Sequence, residues 1–90
     1  MKVYIAGPIQ TDLKYREKFM CAEVKMKQCG YEVVNPAKNR CESYEEYIDT
    51  GLRQLMECDT IYLLKGWETS RGASLEAHYA EVKGLRIFEQ

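Results

Sequence analysis

Between Lys65 and Gly72 the chain sets Trp67, Ser70, Arg71 and Gly72 together just ahead of a segment of helical period. That order suits an anion. A serine N-cap leaves N–H groups of the first helical turn free, a glycine lets a ligand come close, and arginine can grip a phosphate or carboxylate with two hydrogen bonds. The same residues also fit a plain helix start, with Ser70 capping and Arg71 in water. Trp67, the only tryptophan, either stacks on a ligand or packs the loop. No Gly-x-Gly-x-x-Gly or Gly-Lys-Ser/Thr run occurs, so the usual dinucleotide and P-loop fingerprints are missing and no cofactor is implied.

Beyond this loop Ala73, Ala77 and Ala80 recur at three- and four-residue spacing, a small face on which a helix can lie close to a sheet. Glu76 flanks that face, where a carboxylate can reach a crevice; the bland alternative is a solvated helix glutamate. Tyr4, just before the Gly7-Pro8 turn, either sends its hydroxyl to the same crevice or packs as an ordinary strand tyrosine. Glu45 and Asp49 are further candidates for the crevice edge. His78 lies opposite the alanines and reads as a surface residue, and no Ser-His-Asp set is legible. The four cysteines, Cys21, Cys29, Cys41 and Cys58, are separated by 8, 12 and 17 residues without a Cys-x-x-Cys pair, which argues against a metal site.

Elements that must position these groups follow from the hydrophobic pattern. Ninety residues make one domain, residues 1–90, and a net charge of −1 gives no footprint for a nucleic-acid polymer or a membrane. No apolar run approaches a membrane span, and no signal-peptide pattern opens the chain, so the cytoplasm is expected. Val3–Ala6 reads as a strand ended by Gly7-Pro8. A helix follows over about 12–29, with an apolar stripe of Tyr15, Phe19, Ala22, Met26 and Cys29, stopped by Gly30. Leu13, Met20 and Val24 form a flanking stripe, either shared core or subunit contact. Tyr31–Val34 is the second strand, closed by Asn35-Pro36. Ser43 and Glu46 stand at capping-box spacing and start a second helix whose core face reads Tyr44, Ile48, Leu52, Leu55 and Met56. Thr60–Leu64 is a buried strand, a third helix covers about 70–83, and Leu85–Phe88 is the last strand.

Four strands joined by helical crossovers predict an α/β fold: a three-layer, flavodoxin-like or Rossmann-like parallel sheet in order 2-1-3-4 with helices on both faces. In that order the ligand crevice lies at the carboxyl ends of strands one and three, between the loop at Gly7-Pro8 and the loop at 65–72. On the third helix Leu75, Tyr79 and Val82 form an apolar strip the sheet cannot also bury, the candidate contact of a homo-oligomer.

Several segments together carry a resemblance: Tyr4-Ile5-Ala6-Gly7-Pro8, Gly30–Pro36, Cys58-Asp59, and Gly66-Trp67-Glu68-x-Ser70-Arg71-Gly72-Ala73-x-x-Glu76. The chain resembles the small DUF4406 proteins, a branch of the nucleoside 2-deoxyribosyltransferase-like superfamily. The resemblance implies a nucleoside or nucleotide as small-molecule partner. It implies Glu76 as the nucleophile that attacks C1′ of a deoxyribose, Tyr4 as the residue that orients it, and Gly7-Pro8 as part of the sugar and base pocket. Two positions depart from the pattern. Gly51 and Ser70 stand where the active transferases carry acidic residues, so protonation of the leaving base has no obvious side chain; Glu68 and Glu45 are the substitutes the sequence offers. Ser70 and Arg71 at the helix start instead favour a phosphorylated ligand.

Overall fold

The computed structural model describes residues 1–10 and 12–90. Strand β1 (Lys2–Ala6) leads to helix α1 (Tyr15–Gln28), then β2 (Glu32–Val34), α2 (Tyr44–Met56), β3 (Thr60–Leu63), α3 (Arg71–Val82) and β4 (Arg86–Glu89). Short 3-10 turns occupy Pro36–Lys38 and Trp67–Thr69. The sheet runs β2-β1-β3-β4, and every pairing is parallel, as the crossovers require.

Alternation along the two central strands divides the core. Tyr4 and Ala6 on β1, with Ile61 and Leu63 on β3, pack against Leu55 of α2 and the alanines of α3. Val3, Ile5, Tyr62 and Leu64 point to the other face and meet Phe19, Ala22 and Met26 of α1. The register brings Tyr4 opposite Ile61 and Ala6 opposite Leu63, so the two strands end level. Both inner strands are buried on two sides, which explains their unbroken apolar runs. Gly30 and Gly84, with φ of 91° and 71°, take the left-handed conformation just past α1 and α3, where a side chain would be strained.

Some boundaries differ from the sequence reading for local reasons. Helix α1 begins at Tyr15 because the Asp12 carboxylate accepts a hydrogen bond from the Lys14 N–H at 2.9 Å, an Asx turn that competes with an earlier helical start. Cys29 caps its end and is exposed. Ser43 does cap α2, but Glu46 reaches back to the Glu42 N–H, one residue before the cap. Tyr44 and Met56 are exposed, so the inner face of α2 is turned from the expected one toward Gly51 and Leu55. Leu13, Met20 and Val24 are exposed as well and form no part of the core.

Candidate active site

Beyond the ends of β1 and β3, α2, the start of α3 and the segments after β1 and β2 enclose a crevice of about 630 Å³, counted to its open mouth. Ile5, Ala6 and Gly7 supply one side. Ser70 to Ala73 supply another, and Tyr44, Tyr47 and Ile48 of α2 a third. Glu76 lines it too and is 6% exposed.

Tyr4 is fully buried in β1, and its hydroxyl donates a 2.5 Å hydrogen bond to Oε2 of Glu76. Residues 72 positions apart are thus joined across the β1–α3 interface. Burial pushes the Glu76 carboxyl up to about 7, because a charge there loses its water, while the Tyr4 hydrogen bond pulls the other way and only partly offsets it. Desolvation first, and then the Glu76 charge, raise the Tyr4 phenol far above its usual range, so Tyr4 remains a donor. The result is a carboxylate held through Oε2 and divided between its charged and neutral forms near pH 7. Such a group can act as nucleophile, base or acid.

Gly51 closes the pair from α2. A Cβ built there would stand 2.7 Å from the Tyr4 hydroxyl oxygen and 2.9 Å from Oε2 of Glu76, closer than real Cβ contacts allow. Any side chain there would have to push the two oxygens aside.

Family comparison matches residues 1–89 to a family described as "Domain of unknown function (DUF4406)". The chain belongs to that family. Comparison with curated proteins gave no match.

In this DUF4406 chain most of the expected site residues meet at the crevice. Gly7 lines it, and its lack of a side chain admits Leu64, whose Cβ would be 2.9 Å from an added Cβ. Arg71 lines it and is exposed, without an ion pair among the described residues. Ser70 lines it, but its hydroxyl is used: it accepts from the Ala73 N–H at 3.2 Å, the N-cap alternative. Gly72 lines it as well, and the close approach it permits is taken by α2, since an added Cβ would meet Ile48 Cδ1 at 2.7 Å.

Two expected residues stand elsewhere. The Trp67 indole N–H donates to the Glu89 carboxylate at 3.0 Å, because the 3-10 turn at 67–69 carries the ring toward β4. Pro8 is buried and faces Gly66, so it joins the two loops without lining the crevice. Glu45 and Asp49 border a separate shallow groove on α2 with Arg53, and Glu68 is exposed outside the crevice. Neither Glu45 nor Glu68 replaces the carboxylate expected at Gly51. The sequence reading omitted Tyr47, which lines the crevice and whose hydroxyl is buried with no hydrogen-bond partner. The legible signal was spacing: Tyr47, Gly51 and Leu55 lie four residues apart on one helical face.

Proposed function

We propose that this DUF4406 chain cleaves, or exchanges the base of, the N-glycosidic bond of a 2′-deoxynucleoside or deoxynucleoside monophosphate through a covalent intermediate on Glu76. The observation that carries the reading is the buried Tyr4–Glu76 hydrogen bond beside a crevice at the carboxyl ends of the central strands. With Oε2 held by Tyr4, Oε1 attacks C1′. The C1′–N bond breaks, its electron pair leaves with the base, and the base takes a proton from water. An adjacent carboxylate stabilises the oxocarbenium-like transition state, and covalent capture divides one hard displacement into two easier ones. Water, or a second base, then displaces Glu76 from the ester and restores the carboxyl group. Arg71 and the free N–H groups at the start of α3 favour a phosphorylated substrate. The reading also includes a second copy of the chain over α3, supported by the exposure of Leu75 and Val82 and tested by sedimentation.

The test is free-base release from a panel of deoxynucleosides and their monophosphates, followed by chromatography, for wild type and Glu76→Ala. Release that disappears in the variant supports the reading, and the preferred substrate settles whether phosphate is bound. Gly51 favours a second reading, a nucleotide-binding protein without turnover, because among the described residues no second carboxylate lines the crevice. Nucleotide binding that survives Glu76→Gln in protein releasing no base selects it.

A further inference from the structure

Among the described residues, the Tyr47 hydroxyl is the one buried side-chain polar atom without a hydrogen-bond partner. A native protein seldom leaves such a group unpaired without a use for it. The ring stands on α2 one turn before Gly51 and lines the crevice that Glu76 lines. With Ile9 it also lines a neighbouring hollow that runs past Tyr15, Arg16 and Arg40, so Tyr47 stands where the two spaces meet. Arg71 and Gly72 belong to the crevice alone. A sugar whose C1′ rests at Glu76 and whose 5′ side turns to Arg71 leaves the Tyr47 end for the base.

We propose that the Tyr47 hydroxyl contacts the leaving base, donating a hydrogen bond to a ring nitrogen or carbonyl oxygen as the bond to C1′ breaks. This rests on Glu76 being the nucleophile. Gly51 offers no acid beside Glu76, and the polar group that this face of α2 brings to the crevice is the neutral Tyr47 hydroxyl. The electron pair of the C1′–N bond passes to the base, Tyr47 disperses the charge without giving up its proton, and water protonates the base. Burial and the nearby Glu76 charge both hold the phenol proton in place, which suits a donor rather than an acid. The hydroxyl is covered in the free protein, and its hydrogen bond forms once the substrate is seated, as catalytic hydrogen bonds commonly do.

Tyr47→Phe removes only the hydroxyl, where it has no partner to lose, so the variant is expected to melt at or slightly above wild type. Base release is measured as kcat/KM over a series of one substrate whose base carries increasingly electron-withdrawing ring substituents, making it a better leaving group. Tyr47→Phe is expected to lose roughly 10- to 100-fold on the poorest leaving group, with the loss shrinking along the series. A loss of equal size across the series, or no loss at all, overturns the role of Tyr47 while Glu76-dependent release stands. No release by wild type from any member overturns the glycosidase reading itself and this inference with it.

Discussion

Gly51 and Tyr4 are separated by the width of an absent side chain: a Cβ on Gly51 would stand 2.7 Å from the Tyr4 hydroxyl oxygen. The glycine therefore serves the Tyr4–Glu76 pair, since any side chain at this position would press on both of its oxygens.

Gly51→Ala tests that relationship. A mid-helix glycine in open space gains about 1 kcal/mol on replacement by alanine. Here the methyl would push on two oxygens of a buried pair, and overpacking of this kind costs about 1–3 kcal/mol. The variant is expected to melt several degrees lower and to lose base release. A variant that melts higher and keeps release would mean that α2 yields freely and the contact does not matter.

Tyr4→Phe keeps the ring and removes the donor. The Tyr4 hydrogen bond opposes the effect of burial on Glu76, so its loss sends the carboxyl above about 7. A nucleophile must be ionised, so kcat/KM for base release should rise with pH through about 7 in wild type. In the variant the midpoint should move up by about one unit or more. A rate that falls with rising pH over the same range would make Glu76 a proton donor instead.

The fold was legible because each level of the chain agrees. Apolar β-branched runs end at Gly7-Pro8 and Asn35-Pro36, helical segments end at Gly30 and Gly84, and crossovers of that length leave parallel pairing as the only choice. The site was legible only in part. Tyr4 and Glu76 were paired through resemblance, since nothing in spacing joins residues 72 apart. The inner face of α2 was misread because Gly51 contributes nothing to a hydrophobic stripe; without it Tyr44 and Met56 fall into period, although both are exposed. The sequence leaves the place of Trp67 open because a 3-10 turn, which has no hydrophobic period to read, decides where its ring goes.

Glu76→Gln should change how stability depends on pH. Folding raises the Glu76 carboxyl from 4.5 to about 7, so between those values the folded chain holds a proton that the unfolded chain releases. Wild-type stability should therefore decline as pH rises through this window, by about 3 kcal/mol at most, and level off above it. Glutamine carries no such proton. Thermal melts from pH 4 to 8 are expected to show a weaker decline for the variant than for wild type. Parallel curves would mean that Glu76 is not the group that titrates.

Glu23 works in the opposite sense on the other side of the sheet. The residue is 4% exposed; its carboxylate lies 2.7 Å from Lys27 Nζ and 3.0 Å from Lys38 Nζ, and it accepts from the Asn35 amide at 3.0 Å. The Lys27 hydrogen bond, helped by those from Asn35 and Lys38, outweighs burial and draws the carboxyl from 4.5 to about 2. The Asn35 and Lys38 contacts tie α1 to the turn at 35–38, and Pro36 in that turn lines the crevice. A carboxyl lowered on folding stabilises above its unfolded value, and the contribution is lost as pH falls from 4.5 through 2. Both lysines are more than half exposed, so its size is about 1–3 kcal/mol rather than that of a fully buried pair. Glu23→Gln is expected to lower the melting temperature at pH 7 and to flatten the acid limb between pH 5 and 2. Because Pro36 would loosen with its turn, KM for whichever substrate releases its base should rise while the pH midpoint set by Glu76 stays in place. An unchanged melting temperature at pH 7 would show that the lysines find equal partners in water.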